Sequence, residues 1–96
     1  SLPQVSCMSR RCIARIAIQG CSAEQARAIE KALRPEIRIS STRRDRVRLF
    51  VREAILDFHF EAESIPALRA LINTYLRWVI TISNVLRTVE HVQLQT

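Results

Sequence analysis

The last third of this 96-residue chain restricts its fold most, because Ile65 to Val89 reads as one long helix that is apolar around too much of its circumference. Place Leu68 at zero and advance 100° per residue: the apolar positions from Leu68 and Leu71 through Trp78, Ile80 and Val89 fill an arc of roughly 220°. A helix lying on one small sheet needs a stripe of about 100°. The excess calls for a second packing surface, either a protein partner or a second copy of the chain. Opposite that arc, Arg69, Asn73 and Arg77 follow at steps of four and form one polar stripe. Two readings stay open for it: a solvated face, or a hydrogen-bonding edge of directional donors beside an apolar docking surface.

The chain ahead of this helix supplies a sheet. Cys12 to Ile18 is β-rich, with Cys12, Ala14, Ile16 and Ile18 on one face and Ile13, Arg15 and Ala17 on the other. Ser22 with Gln25 three residues later predicts a capping box and a helix running to about Arg34, where Pro35 helps stop it. A polar connection from Ile37 to Asp45 follows. Arg46–Arg52 and Ile55–Ala62 then alternate as two strands of a hairpin around Glu53-Ala54, inward Val47, Leu49, Leu56, Phe58 and Phe60 against outward Arg46, Arg48, Asp57 and His59. Ser64 caps the long helix, and Pro66 is tolerated in its first turn. The tail from Glu90 alternates weakly and reads as a further strand or a fraying end. The order β-α-β-β-α predicts an α+β fold: a three-stranded antiparallel sheet with two helices on one face, dimerising through an exposed sheet edge. Residues 1–11 are expected to form a flexible N-terminal arm and residues 12–96 a single domain.

Charge points to the class of partner. The formal net charge is +6, and Lys31 is the only lysine. Arginine suits phosphate and interface contacts. Arg43, Arg44, Arg46, Arg48 and Arg52 fall within ten positions and form a candidate RNA-binding patch, with Phe50 placed to stack a base. Four carboxylates lie nearby (Asp45, Glu53, Asp57 and Glu61), so pairing across the hairpin is the competing reading.

Little points to chemistry. Gly20 is the only glycine, so a phosphate-cradling loop is missing. The Asp57-x-His59-x-Glu61 row reads as a solvated strand face rather than a proton relay or metal site. Cys7, Cys12 and Cys21 have no metal-ligand spacing, so no metal is expected; the thiols read as structural or free, a disulfide among them being the alternative for an oxidising compartment or a hyperthermophile, and Cys21 is the better thiolate candidate at a helix start. A membrane span over Ile65–Val89 would place Arg77 near the bilayer centre, at a cost of about 2.5 kcal/mol or more, and is rejected. The expected location is cytoplasmic, without cofactor or small-molecule substrate.

Three motifs resemble one family. Ser22-Ala-Glu-Gln-Ala26 opens the first helix, Ala32-Leu-Arg-Pro-Glu36 closes it, and Ala67-Leu-Arg-Ala-Leu-Ile-Asn-Thr-Tyr-Leu-Arg-Trp78 lies in the second. Together they resemble the Pcc-type small dimerising subunit of the KEOPS complex, over roughly Cys12 to Val89. The resemblance implies a non-enzymatic homodimer with a continuous antiparallel sheet. Its helices would pack against a Kae-type threonylcarbamoyl transferase subunit and bridge two catalytic arms. It would also help bind tRNA, on which the complex forms threonylcarbamoyladenosine beside the anticodon. Carried over by position, Leu68, Arg69, Leu71, Ile72, Asn73, Tyr75, Leu76, Arg77 and Trp78 fall in the core-and-interface segment, and Arg43-Arg44 match a basic stretch ahead of a strand. The hairpin turn departs from the family pattern, having Arg52-Glu53-Ala54 where Gly or Asn is frequent. The alternative from the residues themselves is a stand-alone small RNA-binding module.

Overall fold

The computed structural model of the chain describes residues 4–8, 11–20, 22–42 and 44–95, with the backbone alone for 89–95. Its elements follow the order β1 (Gln4–Met8), β2 (Arg11–Gln19), α1 (Ala23–Ser40), β3 (Arg46–Arg52), β4 (Ile55–Ala62) and α2 (Ile65–Gln95). All strand pairs are antiparallel, in the spatial order β1-β2-β4-β3. The fold is α+β, with four strands where the sequence pattern predicts three. The extra strand comes from the segment expected to be an arm. Gln4–Met8 offers only the brief alternation of Val5 and Cys7 and is exposed along its whole length. It is a strand because β2 offers it an edge, with Val5 opposite Ala14 and Cys7 opposite Cys12. That register also puts the two sulfurs in bonding position, and Cys7 and Cys12 form a disulfide, the alternative to the structural or free thiols expected by default. Cys21 lies outside the described residues.

Alternation then decides the layers. Ala14, Val47, Leu56, Phe58, Phe60 and Ala62 point to one side and are buried. The register stacks them in rows, with Ala14 and Val47 flanking Phe60, and Ile16 and Leu49 flanking Phe58. Against this face pack Ala26, Ile29 and Leu33 of α1 and Leu68, Tyr75 and Val79 of α2, in one core. Phe58 and Phe60 stack with ring centroids 5.5 Å apart. Tyr75 sits on both, at 6.1 and 5.8 Å, and meets Trp78 edge-on at 5.0 Å.

Local signals set the element ends. Ser22 accepts a hydrogen bond from the Gln25 N–H at 3.1 Å, and Ser64 from the Ala67 N–H at 3.2 Å, so each helix begins at its predicted cap. The end of α1 differs from prediction. Pro35 lies inside the helix, which continues to Ser40. Proline forfeits one backbone bond there. Ile37, two residues later, packs on the core, and the Ser41 N–H closes the helix on the Ile37 carbonyl at 3.0 Å. These contacts offset the loss. The tail is likewise neither strand nor frayed end, since α2 runs on to Gln95. At 31 residues it is about 46 Å long, against about 30 Å for the nine residues of β2. Among the residues whose side chains are described, the last packed on the core is Leu86. No helix among the described residues is long and apolar enough to cross a membrane.

The β3–β4 turn holds Glu53 at φ 53, in the left-handed region that favours glycine. On its other side, the Gly20 N–H donates to the Ala54 carbonyl at 2.6 Å, and a Cβ at Gly20 would stand 3.2 Å from that oxygen. The small residue lets the end of β2 come this close.

Candidate functional site

Two surfaces carry the sequence-predicted site residues: the outer face of the sheet and one flank of α2. On the outer face the rows read Ser6–Ile13–Glu61–Arg46, then Gln4–Arg15–His59–Arg48, then Ala17–Asp57–Phe50, with Arg52 beyond. The turn leading into β3 is pinned by Thr42, whose hydroxyl accepts from the Arg44 and Asp45 N–H groups at 3.2 and 3.1 Å. β3 then presents Arg46, Arg48, Phe50 and Arg52 on the outer side, all exposed. Arg43 lies outside the described residues. Arg44 extends away from the sheet, with its Nε 3.8 Å from Glu63.

The carboxylates on this face are taken, largely by β2. Arg15 grips Asp57 with two hydrogen bonds, Nε to Oδ1 at 3.2 Å and Nη2 to Oδ2 at 2.8 Å. Arg11 donates to Glu61 and to the Arg44 carbonyl. Among the hairpin arginines, Arg46 lies 4.0 Å from Glu61. Arg48 and Arg52 have neither hydrogen bond nor ion pair among the described residues. The hairpin pairing weighed from sequence is thus largely replaced by pairing from β2. A sequence reader has the parity of Arg11 and Arg15 but not the adjacency of β2 and β4. Electrostatics follow this geometry. The Arg15 hydrogen bonds hold the Asp57 carboxyl below its ordinary pKa although the side chain is 8% exposed, and Arg11 does the same for Glu61. His59 stands 3.4 Å from Asp57 and edge-on to Phe50, centroids 5.2 Å apart. Among the described residues no group of three His, Cys, Asp or Glu side chains gathers to hold a metal.

The structure divides the nine α2 residues of the carried-over segment by depth. Leu68 and Tyr75 are buried in the chain's own core. Leu71, Ile72, Leu76 and Trp78 are half-buried, while Arg69, Asn73 and Arg77 are exposed. Ile72, Leu76 and Ile80 form one i, i+4 ridge that climbs out of the core, and Ile80 reaches 61% exposure. The Arg69–Asn73–Arg77 ridge runs beside it, and neither arginine has a hydrogen-bond or ion-pair partner among the described residues. Tyr75 carries a buried hydroxyl with Ser40 beside it and no partner at good hydrogen-bond geometry.

No curated protein matches the chain. A family model described as "Transcription factor Pcc1" matches residues 13–87, from the third residue of β2 through most of α2, leaving β1 outside. With well over half its length matched, in the stretch that carries the three motifs, the chain belongs to the Pcc1 family of KEOPS subunits.

Proposed function

We propose that this chain is a non-catalytic scaffold subunit of the KEOPS complex, a cytoplasmic homodimer that bridges Kae-type threonylcarbamoyl transferase subunits and helps bind tRNA. The observation that carries the reading is the pair of ridges on α2. Apolar Ile72, Leu76 and Ile80 emerge beside Arg69 and Arg77, which have no partner among the described residues, on a helix longer than the strands it covers. A helix of a partner finds there an apolar seam with directional donors along its rim. Bridging needs two copies, and the sheet offers two edges for pairing, β1 and β3. The tRNA share rests on the excess of arginine over carboxylate on the outer sheet face.

Ile80→Asp tests the partner surface, since an exposed position tolerates the charge without unfolding. The variant should keep its helical circular dichroism and lose binding to a Kae-type subunit; unchanged binding would place the interface elsewhere. The bare basic face also favours the second reading, a stand-alone RNA-binding module. That reading predicts tight RNA binding by the isolated chain and indifference to the Kae-type subunit.

A further inference from the structure

We infer that the bare sheet face holds an unpaired nucleotide of an RNA, its base stacked on Phe50 and its phosphates held by Arg48 and Arg52. The inference rests on the tRNA half of the proposed function and gives it a place and a ligand class, single-stranded rather than duplex RNA.

Phe50 is 50% exposed on the side of the sheet that neither helix covers. His59 meets its ring edge to face at 71°, which orients the ring while leaving half of the residue open to solvent. An exposed aromatic face accepts any base, because every base has a π-face. Arg48 and Arg52 lie two residues to either side on the same strand face, each about 7 Å away along the strand. Both lack an ion pair or hydrogen bond among the described residues. The charge around the ring is also arranged for a polyanion. Asp57, opposite Phe50 in register, is neutralised by Arg15, and Glu61 by Arg11. On the same face, a shallow depression of about 200 Å³ is lined by Ile13, Arg46, Arg48, His59 and Glu61, the last already paired with Arg11. An acidic peptide would answer the cations but has no use for an aromatic platform between them. A duplex keeps its base faces stacked inside and cannot present one to Phe50.

The test titrates a fluorescein-labelled oligouridine single strand, and a duplex of equal length, into the full chain at several salt concentrations, read by anisotropy. Phe50→Leu should weaken single-strand binding roughly 5- to 150-fold with the salt slope unchanged, and leave duplex binding alone. Arg48→Gln should lower the salt slope by about 0.7. Arg27→Gln, on exposed α1 surface, should leave the slope as it is and serves as the control. Circular dichroism of each variant checks the fold. Undiminished single-strand binding by Phe50→Leu overturns the stacking site while leaving the tRNA reading intact. Failure of the unmodified chain to bind either RNA at low salt overturns both. Equal competition by polyglutamate reduces the face to plain charge and overturns the inference as well.

Discussion

Tyr75 should separate the core role of α2 from the partner role proposed for it. Its side chain is fully buried on Phe58 and Phe60, and it also meets Trp78, so it anchors the helix to the sheet. Replacing a buried aromatic ring of this kind by alanine costs about 3–5 kcal/mol in lost transfer energy and cavity. Domains of this size have total stabilities of roughly 5–15 kcal/mol, so Tyr75→Ala should remove about a fifth or more of it. Tyr75→Phe behaves differently. Its hydroxyl is buried without a partner at good geometry, a state that costs about 1–3 kcal/mol. Burial raises the phenol pKa, against a smaller opposing effect of Ser40. Removing the oxygen should therefore leave stability unchanged or raise it by about 1 kcal/mol, or roughly 4–8 °C in Tm for a domain of this length. Urea and thermal unfolding at one fixed protein concentration give both numbers, since self-association would otherwise move Tm. Binding to the Kae-type subunit should survive Tyr75→Phe. A loss of more than 1 kcal/mol in Tyr75→Phe would show that the hydroxyl is satisfied and refute this reasoning.

Three further outcomes are expected. Glu53→Gly should raise the urea midpoint by about 1 kcal/mol equivalent at unchanged m, because glycine adopts the left-handed conformation at φ 53 without a Cβ clash. Ser64→Ala should cost about 1 kcal/mol by removing the α2 cap, read in the same assay. Asp57 and Glu61 have pKa values lowered by folding, so their contribution is fully present above the unfolded values of about 3.9 and 4.3. It is lost as pH falls through the lower folded values. Arg15→Gln should therefore start acid unfolding at a higher pH, because burial then pushes Asp57 up unopposed; an unmoved acid limb would show that Arg15 is not what lowers it.

What the sequence shows clearly is what depends on one segment at a time. The alternation of Val47, Leu49, Phe58 and Phe60, the caps at Ser22 and Ser64, and the helical period of α2 are local, and the structure reproduces them. The outward parity of Arg46, Arg48, Phe50 and Arg52 is local too. What stays hidden depends on neighbours. β1 exists through β2, Asp57 is buried through Arg15 on another strand, and α1 passes Pro35 because Ile37 finds the core beyond it. A short exposed segment, an outward carboxylate and a proline each carry a local expectation that tertiary contact reverses. The wide apolar arc of α2 illustrates both sides. Its core stripe follows from periodicity, whereas the emergence of Ile80 beside the arginine ridge needed the packed sheet to set the depth.

The central claim is that this chain is a bridging scaffold. Light scattering after size exclusion tests it most directly, on the chain alone and mixed with a Kae-type subunit of the same organism. The account predicts a species of about twice the 11.1 kDa chain mass that moves into a larger complex on mixing. A monomer that passes the Kae-type subunit unchanged would contradict it.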